Sequence, residues 1–190
     1  MNESSKYSFE LGFATFFMNR TNRSGIIKGG VIGGKSQQGI WKLDARFNKP
    51  ELIDRIKKIE EKKRYIHLYN KDIVSFIKKY IPKYDDNAFV YFDPPYFRKG
   101  HQLYMNFFDY EDHVRIERLI SDMVNCDWVI TYDNEPEIER IYEKYHIRKF
   151  ELNYCVAKKR KGQELLIFKN EFMIPDTALI RENSSCINLY

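Results

Sequence analysis

The chain has 190 residues, 43% of them hydrophobic and 16% aromatic, which describes one globular domain with a real core and excludes a disordered chain. The net charge of +5 is compatible with a polyanionic partner without demanding one. Three widely spaced cysteines (Cys126, Cys155, Cys186) suit a reducing cytosol better than a disulfide framework, the four histidines show no zinc spacing, and no stretch approaches membrane length, so a cytoplasmic protein with no metal and no membrane contact is expected.

In chain order, SFELGFATFFMN (Ser8–Asn19) is apolar on most sides and reads as a buried helix. A Gly-, Asn- and Gln-rich stretch from Arg20 to about Gln38 reads as an exposed, structured loop. Leu52, Ile53, Ile56 and Ile59 recur at helical spacing, which predicts an amphipathic helix over Lys49 to about Lys63. RYIHLYN (Arg64–Asn70) has the pattern of a strand, and DIVSFIKKY (Asp72–Tyr80) that of a helix capped by Asp72. NAFVYF (Asn87–Phe92) is a run of buried-strand type, ended sharply by DPPY. Tyr110–Val124 reads as a helix with Val114, Ile116, Leu119, Ile120 and Met123 inward. DWVITYD (Asp127–Asp133) is a second buried strand, followed by a helix from Glu135 to Tyr145 with Pro136 in its first turn. IRKFELNYCV and ELLIFKN predict an antiparallel pair of strands joined by a basic loop, KKRK (Lys158–Lys161), and the tail after Pro175 loses periodicity. Strands alternating with helices imply an α/β sheet, mostly parallel, closed by a C-terminal hairpin, with ligands beyond the carboxyl ends of the strands.

Two motifs compete for the chemistry. GGVIGGKS (Gly29–Ser36) fits the phosphate-loop pattern G-x-x-x-x-G-K-[ST]. A working phosphate loop stands after a buried strand and opens a helix, whereas NRTNRSGIIK before it is polar and Gly39 breaks the segment on its far side. A nucleoside triphosphatase is therefore the remote alternative. YFDPPYF (Tyr91–Phe97) carries more. The exocyclic amine of adenine is a poor nucleophile, because its lone pair is delocalised into the ring. Two acceptors on its N–H groups favour a tetrahedral nitrogen and stabilise the charge that grows as it attacks a methyl donor. Asp93 supplies a carboxylate and Pro94 a carbonyl, Pro94 and Pro95 stiffen the turn, and Tyr96 offers a flat face for an extruded base.

The DPPY segment resembles motif IV of the amino-methylating DNA methyltransferases, in its N6-adenine form. The surroundings resemble the Dam-like, D12-class adenine methylases from about Phe13 to Lys169. FFMNRTNRSGI (Phe16–Ile26), DARFNK, LYNKD (Leu68–Asp72), KGHQLYMNFFDYEDH (Lys99–His113), WVITYDNEP (Trp128–Pro136) and ELLIFKN are the stretches that carry it. The resemblance implies a class I, Rossmann-like methyltransferase fold with a helical and loop target-recognition insertion. Its implied domains are a recognition region at 1–60, the C-terminal part of the catalytic core at 61–175, and a loose tail at 176–190. It further implies S-adenosylmethionine as methyl donor, double-stranded DNA as substrate, and Asp93, Pro94, Pro95 and Tyr96 as the catalytic set. Asn19, Arg20, Asn22, Arg23 and Lys35 would then face DNA. Asp93 would also lie against the donor; Asp72 would either touch the donor's adenine or only cap its helix.

The same family carries a glycine-rich strand–turn that holds the donor, and no such turn precedes Phe13. The expectation is therefore a truncated or split methylase lacking its N-terminal strands, completed by a missing N-terminal fragment. A non-catalytic DNA-binding remnant is the alternative, and a restriction–modification or phage setting is left open.

Overall fold

The computed structural model describes residues 8–84, 87–98, 108–156 and 158–174. The chain divides into two compact units, Met1–Tyr69 and Asn70–Tyr190.

In the first unit, helix α1 (Phe9–Thr21) starts at Ser8, whose hydroxyl accepts from the Leu11 amide. Phe9, Phe13 and Phe17 stack at successive i, i+4 positions, and Phe16 and Phe17 meet the edge of Phe47. The expected burial is only partly met, since Phe9 is 82% exposed and Leu11 and Phe13 are also exposed. Among the described residues of this unit, the second half of α1 is covered by the turns at Leu43–Phe47 and Arg23–Gly25, so an all-round apolar helix keeps its first turns uncovered.

From Asn22 to Asn48 the chain is a folded loop. The GGVIGGKS stretch lies in it as a series of turns, with one isolated bridge between Asn22 and Val31. No strand leads into it and no helix opens at Ser36, so the setting of a phosphate loop is absent. Gln37 ties the loop together. Its amide donates to the carbonyls of Ile32 and Gly34 at 2.8 and 2.7 Å, and its oxygen accepts from the Leu43 amide at 2.8 Å. Gly33 has φ of +84°, and a Cβ there would sit 2.8 Å from the Trp41 carbonyl, so only glycine fits.

Helix α2 (Lys49–Lys62) has Pro50 in its first turn and Leu52 buried, with ion pairs Arg55–Glu51 and Lys58–Asp54 along its surface. The strand expected at Arg64–Asn70 does not form. Arg64 and Tyr65 finish a 3-10 turn, and the backbone to Asn70 is exposed and irregular, because no described strand lies beside it to complete a ladder.

The second unit contains the sheet. Helix α3 (Ile73–Lys79) is capped by Asp72 as expected, with its carboxylate accepting from the Ser75 amide at 3.1 Å. Then come β1 (Phe89–Phe92), α4 (Tyr110–Met123), β2 (Asp127–Asp133), α5 (Pro136–Ile141), β3 (His146–Val156) and β4 (Lys158–Phe168). The strand order is β1-β2-β4-β3. β1 pairs with β2 in parallel, Phe92 opposite Ile130, while β4 runs antiparallel to both β2 and β3. Among the described strands the sheet is therefore mixed, with one parallel pair, rather than mostly parallel. The C-terminal hairpin is present as expected. Its basic stretch Lys158–Lys161 belongs to β4 instead of a loop, because the pairing continues as far as Val156 opposite Lys158.

Trp128, Ile130 and Tyr132 alternate along β2 and enter the core with Ile116 and Ile120 of α4, Ile138 of α5, and Leu165 and Ile167 of β4. β1 is less buried than its sequence suggests. Phe92 is covered, but Phe89 and Tyr91, on the opposite face, are 62% and 56% exposed. β1 ends the strand order, and the described helices pack on one face of it only.

Candidate active site at the ends of β1 and β2

Parallel pairing aligns the carboxyl ends of β1 and β2, and there the DPPY turn begins. Asp93 follows the buried Phe92 directly and is exposed; Pro94 is buried, and Pro95 and Tyr96 are half-buried. The turn is fastened at both ends to β2. At its start the Thr131 hydroxyl donates to Asp93 Oδ1 at 3.1 Å, and the Tyr91 hydroxyl lies 2.8 Å from Thr131 Oγ1. At its end the Asp133 carboxylate accepts from two successive amides, Phe97 N–H at 2.8 Å and Arg98 N–H at 2.9 Å. The Arg98 side chain reaches Glu135 at 3.5 Å.

Beneath the turn lies His113 of α4, fully buried. Its ring packs against Phe97 at 5.4 Å, Phe108 at 5.5 Å and Tyr132 at 5.4 Å, and its Nδ1 shares a 2.9 Å hydrogen bond with the Tyr132 hydroxyl. Nε2 finds no hydrogen-bond partner among the described residues. Desolvation pushes the His113 pKa below its usual value, against the opposing pull of the carboxylates of Asp133, Asp112 and Asp109. Burial likewise pushes the Tyr132 phenol up, so it stays protonated.

Asp93, Pro94, Pro95 and Tyr96 thus form one turn braced on β2. Asp72, in the same unit, heads α3 with its carboxylate engaged in the cap. Asn19, Arg20, Asn22, Arg23 and Lys35 lie in the first unit. Three of them bond within the loop region: Asn19 Nδ2 to the Gly25 carbonyl, Arg20 Nε to the Arg46 carbonyl, and the buried Asn22 Nδ2 to the Ile27 carbonyl. Arg23 and Lys35 are exposed. Thr131, Asp133 and His113 escaped the sequence reading. The available signal was a Thr and an Asp, two residues apart, in the otherwise apolar strand that ends level with DPPY.

Among the described residues no cluster of side chains is arranged to hold a metal ion, and no helix is long and apolar enough to cross a membrane. No strand among them leads into a glycine turn. The glycines at 33 and 39 instead pack against each other within the first unit's loop, where a Cβ on Gly39 would meet the Gly33 Cα at 2.9 Å. No curated protein matches the chain. The family model for D12 class N6 adenine-specific DNA methyltransferase matches residues 10–155, a span that includes the first unit's loop, the DPPY turn and both strands that hold it. The chain belongs to the D12 class N6 adenine-specific DNA methyltransferase family.

Proposed function

We propose that the protein methylates N6 of an adenine extruded from double-stranded DNA, with S-adenosylmethionine as donor. The observation that carries this is the exposed Asp93 carboxylate at the mouth of a proline-stiffened turn, one oxygen held by Thr131 and the next carbonyl in sequence belonging to Pro94. Asp93 and the Pro94 carbonyl accept the two N–H groups of the amine, favour a tetrahedral nitrogen and withdraw its lone pair from conjugation with the ring. The proton that the amine sheds leaves along its hydrogen bond to Asp93, and the exposed carboxylate passes it to water. Tyr96 provides the surface on which the extruded base stacks. The donor supplies an electrophilic methyl group. The described residues fit the amine's side of the reaction but offer no glycine cradle for the donor, so a segment outside them holds it. The recognition loop brings Arg23 and Lys35 to phosphate.

The test is methyl transfer from labelled S-adenosylmethionine to mixed-sequence plasmid DNA. Asp93→Ala abolishes transfer while leaving duplex binding within about twofold, since the carboxylate touches the amine and not the backbone. Full activity in that variant refutes the role of Asp93. Salt-dependent binding by the wild type with no transfer, even when an N-terminal fragment bearing a glycine-rich donor turn is added, identifies a DNA-binding remnant instead.

A further inference from the structure

We propose that Thr131 and Asp133 are positioning residues, and that strand β2 acts as the template that sets the angle of the DPPY turn. The kinetic arm of this proposal rests on the methyl-transfer reading; its geometry does not.

Asp133 is only 3% exposed, and among the described residues no Lys or Arg pairs with it. A buried carboxylate is costly unless hydrogen bonds satisfy it. Here they come from two consecutive amides of the turn, one on each oxygen. Two successive N–H groups aimed at one carboxylate fix the direction in which the backbone leaves Tyr96. The entry is fixed by the register of Phe92 on Ile130. Between the two anchors Pro94 and Pro95 allow little rotation. The span Asp93–Tyr96 is therefore held as a rigid arch between two points of one neighbouring strand.

Thr131 sets the carboxylate within that arch. A threonine hydroxyl has one proton, and here it points to Asp93 Oδ1, so the Tyr91 hydroxyl must donate to Thr131 Oγ1. The order Tyr91 to Thr131 to Asp93 fixes the rotation of the carboxyl group. It leaves Oδ2, which no described residue engages, as the oxygen available to a substrate. The hydroxyl and the carboxylate stand two residues apart on one face of β2, the face opposite Trp128, Ile130 and Tyr132. β2 thus gives one face to the core and the other to the turn.

The experiment uses the full chain and three variants. In Asp133→Asn the side-chain amide sets an N–H against one of the two backbone N–H groups. The amides of Phe97 and Arg98 then exchange with deuterium about ten times faster, while those of β2 and β4 keep their rates. In Thr131→Val the carboxyl carbon resonance of Asp93 moves, and in Thr131→Ser it returns to the wild-type position. In the methyl-transfer assay Thr131→Val lowers kcat about 100-fold with KM nearly unchanged, and Thr131→Ser restores it. Unchanged exchange at Phe97 and Arg98, or loss of protection throughout β2, overturns the role of Asp133. An unmoved Asp93 resonance, or full kcat in Thr131→Val, overturns that of Thr131. A wild type that transfers no methyl group, even with an added N-terminal fragment bearing a glycine-rich donor turn, refutes the proposed reaction, and the exchange and resonance data still decide the template.

Discussion

His113 makes the second unit sensitive to acid, and replacing it with phenylalanine should remove that sensitivity. Its folded pKa lies below the ordinary 6.5, so between the lowered value and 6.5 the unfolded chain binds more protons than the folded one. The stability is whole above pH 6.5 and is lost as pH falls toward the folded value. The loss is at most about 1.4 kcal/mol per pH unit, which bounds it at about 2 kcal/mol between pH 6.5 and 5.0. In His113→Phe the ring still fills the space between Phe97, Phe108 and Tyr132. The Tyr132 hydroxyl loses its bond to His113, a cost of about 1–3 kcal/mol, but the orphaned Nε2 disappears with a gain of similar size. The net change at pH 7.5 is therefore within about 1 kcal/mol, whereas His113→Ala opens a cavity and costs about 3–5 kcal/mol. Urea unfolding at pH 7.5, 6.5, 5.5 and 5.0 reads this directly, as the difference between wild type and His113→Phe. A constant difference across that range refutes the assignment of acid sensitivity to His113.

Two further outcomes rest on burial and charge. Ile130 is fully buried at the centre of β2, between Phe92 and Ile167, so Ile130→Ala costs about 2–5 kcal/mol and Ile130→Val about 1 kcal/mol in denaturant unfolding, with an unchanged m-value. If Arg23 and Lys35 each meet a phosphate, the double alanine variant weakens duplex binding uniformly across sequences. It lowers the slope of log K against log salt by about 2, read by fluorescence anisotropy over a salt series.

The helices α2, α3 and α4 were legible because their apolar spacing or caps are local: Asp72 announces α3, and Ile116 and Ile120 announce the inner face of α4. β2 was legible because Trp128, Val129, Ile130 and Tyr132 make DWVITYD a mostly apolar run, as a central strand requires. The errors fall where a segment's state depends on a neighbour. RYIHLYN has the pattern of a strand but no described partner, and Phe89 and Tyr91 have the composition of a covered strand but lie on the uncovered face of β1. The site divides in the same way. DPPY is contiguous, so the turn and its exposed carboxylate are visible in four letters. Thr131 and Asp133 stand 35 to 38 residues away from the groups they hold, and only the register of β1 on β2 brings them there.

That register limits how the turn can be used elsewhere. Anyone grafting the DPPY segment onto another scaffold would move the acceptor groups but leave behind the strand that aims them. Sliding β1 by a single residue would reverse its faces, turn Tyr91 away from Thr131, and carry Asp93 past the hydroxyl that orients it. The smallest portable piece is two parallel strands with their alignment intact, so a library that varies this turn should vary Thr131 and Asp133 with it.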